Sequence, residues 1–167
     1  VSLRDGYHGE TLGALSVTDV ALFKDTYAPL LHPSHQVMSP DWRRGEPEES
    51  AEAYALRAAA SLEDFLAECA DTTAAVILEP LVQGAAGMAM YHPIYLACAR
   101  EMCDRYRVHL IADEIAVGFG RSGTMFACEQ AEITPDFLCL SKGITGGYLP
   151  LSCVLTSDTV YQAFYDD

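Results

Sequence analysis

The chain has 167 residues, half of them apolar, and its 24 acidic against 10 basic side chains give a net charge of −14. That length supports one domain with a real core, and the charge argues against a nucleic-acid surface or an anionic membrane partner, since no basic cluster exceeds Arg43-Arg44. No apolar run approaches the roughly 20 residues that span a bilayer, no signal peptide stands at the amino end, and six cysteines without a Cys-x-x-Cys pair read as reduced thiols of a cytoplasmic protein.

In chain order, Arg4-Asp-Gly-Tyr-His-Gly-Glu-Thr11 brackets an aromatic pair with glycines ahead of a small-residue helical segment over residues 11–17. Glycines there permit close backbone approach, and a nearby helix start favours an anionic group. His8, beside a turn, reads as a hydrogen-bonded structural group and not as an acid or base. Residues 19–50 have little periodicity and much Pro, His and Asp, which predicts a surface loop whose residues 29–40 shape a substrate entrance. Its His32-Pro-Ser-His35 pair lacks the third ligand of a metal site. Residues 50–70 carry Ala, Leu, Tyr and Phe at helical spacing, with Ser61-Leu-Glu-Asp64 as a second helix start.

The run Thr73-Ala-Ala-Val-Ile-Leu-Glu79 then predicts a buried strand closed by Pro80, which lacks a ladder donor. Glu79 and Gln83 follow it; Glu79 either faces the strand-end crevice or anchors the loop. A helix from Tyr91-His-Pro93 to Tyr106, with Ile94, Ala97, Cys98, Met102 and Cys103 on one face, is the crossover a βαβ unit needs.

Two apolar runs come next, His109-Leu-Ile-Ala-Asp113 and Phe137-Leu-Cys-Leu-Ser141, each giving way at once to polar or Gly-rich sequence, as fully buried strands of a parallel sheet do. Ligands collect at the carboxyl ends of such strands. Asp113 closes the first run and Lys142 follows the second, so neighbouring strands would face an acid and an amine into one crevice. Lys24 and Lys142 are the chain's two lysines. A desolvated amine at a strand end is a nucleophile toward carbonyls, the chemistry of pyridoxal 5′-phosphate (PLP) enzymes, with Asp113 paired to the pyridinium nitrogen. Spacing alone favours a structural Asp–Lys ion pair, or two unrelated residues at strand ends. Arg121, between Gly120 and Gly123, is expected to tie its loop down by hydrogen bonds, and Gly118-Phe-Gly120 is only superficially like a nucleotide loop, which disfavours a dinucleotide site. Residues 148–156 predict a further strand, with Ser157 or Asp158 capping a terminal helix.

Asp113-Glu-Ile-Ala-Val-Gly-Phe-Gly-Arg-Ser-Gly123, Pro135-Asp136 and Leu140-Ser-Lys142-Gly-Ile-Thr-Gly-Gly147, in this order and spacing, resemble the core of the class III PLP-dependent aminotransferases. Within that family, Glu79-Pro-Leu-Val-Gln-Gly84, Gly87-Met-Ala-Met-Tyr-His-Pro93 and Gly147-Tyr-Leu-Pro-Leu-Ser152 are similar to the branch that serves biotin synthesis. The resemblance runs along nearly the whole chain and is weakest between about residues 19 and 71.

The resemblance implies an α/β, three-layer fold with a mostly parallel sheet, the large domain of a fold-type I PLP enzyme. Residues 1–167 would form the central part of that domain, an internal fragment without the segments that hold the cofactor phosphate. It implies that Lys142 carries the cofactor and moves the proton, that Asp113 holds the ring nitrogen, and that Ile115 packs on the ring face. Gln83 would lie near the phenolic oxygen, and Tyr7 beside the ring within reach of substrate; as a bare aromatic, Tyr7 also reads as a plug at the sheet edge. The implied donor is S-adenosylmethionine, the acceptor 8-amino-7-oxononanoate and the assembly a homodimer, with no metal. Gln83-Gly-Ala-Ala-Gly87 lacks the acid that ornithine- or γ-aminobutyrate-type relatives carry here. A transaminase for another ω-amine, or an isolated fragment without turnover, stays open.

Overall fold

The computed structural model describes residues 1–165. Its strands are β1 (Ser2–Leu3), β2 (Gln36–Val37), β3 (Ala75–Leu78), β4 (Val82–Gln83), β5 (Ala89–Met90), β6 (His109–Asp113), β7 (Phe137–Leu140) and β8 (Cys153–Thr156). Six of them form one sheet in the order β2-β1-β3-β6-β7-β8, parallel except for the last pair, and β4 and β5 make a separate antiparallel hairpin. The helices are α1 (Leu12–Val17), α2 (Ala21–Lys24), α3 (Ala51–Cys69), α4 (Ile94–Tyr106) and α5 (Asp158–Gln162).

The core lies between one face of the sheet and the pair α3 and α4. Helix α3 presents Ala55, Ala58, Ala59, Leu62 and Leu66 at three- and four-residue spacing, and these pack with Val76, Leu78 and Leu110 of the central strands. Each fully buried leucine contributes about 1.5–3 kcal/mol. Ser50 caps α3, its hydroxyl accepting from the Ala53 amide at 3.1 Å. Residues 51–69 form one continuous helix, so Ser61 starts nothing; its hydroxyl accepts from the Met38 amide instead.

Helix α4 buries Tyr95, Leu96, Ala99, Met102 and Cys103. The buried face is thus rotated from the expected one, and Ile94, Ala97 and Cys98 are only half-buried. The Tyr95 ring causes the rotation: it is fully buried, edge-on to Tyr91 with ring centres 5.7 Å apart. The helix ends where Arg107 turns left-handed (φ 58).

Several expectations need revision. Residues 19–50 are not one loop, because Gln36–Val37 pairs in parallel with β1 at the sheet edge and short helical turns flank it. A two-residue strand is too short to leave an alternating pattern. Of residues 148–156 only Cys153–Thr156 is extended, and it runs antiparallel to β7. The strands are also not buried on both faces. Ile77 and Ile111, opposite the helices, are half-buried, and most of β8 is exposed.

Asp136 explains why an acid precedes β7. Its carboxylate accepts from the Leu110 amide at 2.7 Å and from Arg100 at 2.8 Å, while its own amide donates to the Leu110 carbonyl. These bonds set the register of β7 on β6, in which Cys139 lies opposite Asp113. Burial pushes the Asp136 carboxyl up, but the Leu110 amide and Arg100 outweigh it and hold the group below its usual value.

Candidate active site

The carboxyl ends of four neighbouring strands, β1, β3, β6 and β7, converge on a cavity of about 420 Å³. Tyr7 and His8 reach it from the turn after β1, Glu79 and Gly84 from the segment after β3, and Asp113 and Ile115 from the end of β6. Lys142 comes from the turn after β7. The crevice expected from the two apolar runs is therefore present, with the acid and the amine in its walls.

Asp113 is 5 % exposed and held from two sides. One oxygen lies 2.8 Å from His8 Nδ1 and the other accepts from the Ile115 amide at 3.2 Å. His8 is in turn fixed by its own amide, which donates to the Thr18 hydroxyl at 3.0 Å, and its Nε2 has no hydrogen-bond partner among the described residues. With the carboxylate at Nδ1, that nitrogen carries the proton. The expectation for His8 as a bonded structural group thus holds, but the group it supports is Asp113 itself.

Lys142 opens a helical turn with φ at 39°, a backbone state rare outside glycine and a mark of sites where geometry is imposed. Its neighbour Gly143 is tightly covered, since a Cβ there would lie 2.8 Å from the Phe119 ring, which would have to shift. Lys142 is exposed in this chain, not desolvated as expected, because the cavity is open on its side.

Glu79 settles as an anchor that also lines the cavity. One oxygen accepts from the Tyr7 amide at 3.0 Å and the other from the Gly84 amide at 2.9 Å, so a single carboxyl ties two walls together. Burial raises its pKa, opposed by those two amides. Tyr7 donates its hydroxyl to Glu10 at 3.2 Å and packs its ring on Phe23 at 5.4 Å; burial first, then Glu10, raises its pKa.

Gln83 is not brought to the cavity. It is fully buried with both ends engaged: its amide donates to the Arg4 carbonyl at 2.9 Å and its oxygen accepts from Ser39. These bonds join the hairpin to the turn after β1 and engage the side-chain oxygen and one of the two amide N–H groups. No residue from 29 to 40 lines the cavity; that segment reaches the site only through Ser39.

Arg121 does not hold its loop. It lies exposed in the wall of a second cavity of about 540 Å³, which shares Met88, Ala116 and Lys142 with the first. The loop is tied by Glu114, which is fully buried and accepts from the amides of Ala127 and Cys128, each at 2.8 Å. The sequence signal for Glu114 was its place beside Asp113: strand alternation turns it away from the crevice side, toward the loop that returns beneath it.

An aromatic, charged cofactor of the PLP type fits part of this lining. A fixed carboxylate suits a ring nitrogen, the branched Ile115 suits a ring face, and Lys142 brings a primary amine to the same lining. Lys142 is the one lysine or arginine in this lining, and Arg121 stands in the wall of the adjoining cavity. The described residues contain no group of three or more metal-binding side chains.

Residues 1–166 match the aminotransferase class-III family, and the chain belongs to it. It is 50 % identical over 165 residues to adenosylmethionine-8-amino-7-oxononanoate aminotransferase of Helicobacter pylori, and 42 % identical over 167 residues to the Staphylococcus aureus protein of the same name. It covers 99 % and 100 % of itself in these matches but 36 % and 37 % of those proteins, so the chain spans little more than a third of their length. Among solved structures, the Methanocaldococcus jannaschii enzyme of that name superposes with a TM-score of 0.86 at 37 % identity, over 99 % of this chain and 36 % of that one. An omega transaminase of Pseudomonas jessenii in complex with PMP gives 0.88 at 34 % identity, over 96 % and 36 %. The α/β fold is that of the PLP-dependent transferases.

Proposed function

We propose that the whole protein is a PLP-dependent aminotransferase that moves an amino group from S-adenosylmethionine to 8-amino-7-oxononanoate in biotin biosynthesis. The observation that carries the reading is the meeting of Asp113 and Lys142 in one cavity, from the ends of adjacent strands. The names of the most similar relatives support the choice of donor and acceptor.

When bound, the cofactor supplies an aldehyde that takes the amino group and a ring that accepts electrons from the substrate carbon. Asp113 would hold the ring nitrogen in its protonated form, and His8 keeps the carboxylate from turning away. Ile115 would lie on the ring face. Lys142 would bind the cofactor and then carry the proton on and off the substrate carbon, a task for which a mobile, uncrowded amine is suited. Tyr7, in the cavity wall, would contact the substrate. The assembly would be a cytoplasmic homodimer, the partner subunit closing the side on which Lys142 is open.

The test is Lys142→Ala in the complete protein, with S-adenosylmethionine and a panel of other amines as donors. Transamination should fall about 10²–10⁴-fold or more. A variant that turns over like the parent would sink the assignment of Lys142. A parent that prefers a different amine would favour the second reading, an omega transaminase, for which the match to the Pseudomonas jessenii structure speaks.

A further inference from the structure

Residues 84–88 turn between β4 and β5, and the turn carries Met88 to the boundary of the two cavities, beside Lys142. Met88 is 68 % exposed, and its amide donates to the Gly84 carbonyl at 3.1 Å. Its position is set by the backbone beneath it, where Gly87 (φ 73) and Met88 (φ 56) are both left-handed. A methionine in that state needs an external hold.

Arg43 supplies it. Its Nη2 donates to the Ala86 carbonyl at 2.9 Å and its Nη1 to the Gly87 carbonyl at 3.2 Å. The guanidinium is itself locked by Asp41, with Nε to Oδ1 at 2.7 Å and Nη2 to Oδ2 at 2.8 Å. The Asp41 side chain is 4 % exposed, whereas Arg43 is 45 % exposed. An acid with nearly all its surface covered thus orients a planar fork, one edge on the carboxylate and the other on two carbonyls. Lysine cannot reproduce this, since it offers a point charge without the fork. None of these atoms lines either cavity.

We propose that Arg43, braced by Asp41, is a positioning residue that fixes Met88 as an apolar sill between the two cavities, and so selects for substrates whose aliphatic chain passes beside Lys142. A thioether suits that task, being apolar and adaptable in shape while its backbone stays fixed. The proposal rests on the transaminase reading, because it assigns the passage to an amino-group acceptor.

The test uses the complete protein as Arg43→Ala, Arg43→Lys, Met88→Ala and the double variant Arg43→Ala/Met88→Ala. Hydrogen exchange of the amides in residues 84–90, measured without turnover, should quicken at least about tenfold in Arg43→Ala, since the bonds to the Ala86 and Gly87 carbonyls are both lost. KM for a long-chain keto acceptor should rise about tenfold while kcat falls less than threefold, and Arg43→Lys should restore little of either. In the Met88→Ala background Arg43→Ala should raise KM no further, because the residue through which it acts is gone. Unchanged exchange in residues 84–90 overturns the brace. An undiminished KM effect in the Met88→Ala background overturns the route through Met88. A parent protein without transamination overturns the underlying reading and the selectivity with it, and exchange then still decides whether the brace exists.

Discussion

Replacing Glu114 by alanine should unfasten the loop that forms one wall of the site. Glu114 has no exposed surface, and its two oxygens accept from the Ala127 and Cys128 amides at 2.8 Å each, both residues being buried. Alanine strands both donors away from water, at about 1–3 kcal/mol apiece, so the variant should lose about 2–6 kcal/mol. Glutamine keeps one acceptor and turns an amide group toward the second donor, so it should lose about 1–3 kcal/mol. With a urea slope of about 2 kcal/mol per molar, the unfolding midpoint should drop by roughly 1–3 M for alanine and about half as much for glutamine. Residues 115–117 line the cavity, so cofactor retention, followed by the visible absorbance of the bound ring, should weaken in the same order. An alanine variant within about 0.5 kcal/mol of the parent, or a glutamine variant worse than alanine, would refute the account of Glu114 as the fastening of the loop.

Three further outcomes are expected. Asp136 titrates below its ordinary 3.8 in the fold, so the unfolded chain binds its proton first; its contribution is complete above 3.8 and drains away as the pH falls through the folded value. Asp136→Asn should therefore flatten the acid limb of a stability–pH curve, and an unaltered limb would count against the register role. His8→Ala removes the side chain that holds one oxygen of Asp113, and cofactor affinity should fall about 10- to 100-fold in a titration, the equivalent of one hydrogen bond to a charged group. Equal affinity would mean that the Ile115 amide suffices. Gly143→Ala drives a methyl into Phe119 and should destabilise by about 1–3 kcal/mol, with Phe119→Ala relieving part of the loss in the double variant; strict additivity of the two thermal shifts would argue that they do not touch.

The sequence made the acid and the amine legible because each terminates a strongly apolar run, and a parallel sheet leaves one natural place for such termini. The helix over residues 51–69 was legible for the same kind of reason, a sustained period of apolar residues. Two-residue strands such as β1, β2 and β4 were not, since their pairing is decided by partners far away in the chain and not by any local pattern. The direction of β8 has no sequence mark either. The roles of Glu114 and Gln83 were hidden because no local pattern brings together their partners, the Ala127 and Cys128 amides for one and the Arg4 carbonyl and Ser39 hydroxyl for the other. The expectation for Lys142 failed on solvent access, a property of what surrounds the turn and not of the run that leads to it.

The shared grip of Glu79 on the Tyr7 and Gly84 amides has a consequence for how such a pocket can be re-tailored. Two stretches of main chain more than seventy positions apart hang from one post, so neither can be widened or narrowed without dragging the other. Refitting the cleft for a bulkier or shorter amine is therefore a matter of trimming side chains that project into it, and engineering that tries to move a single loop should fail until the post itself is relocated.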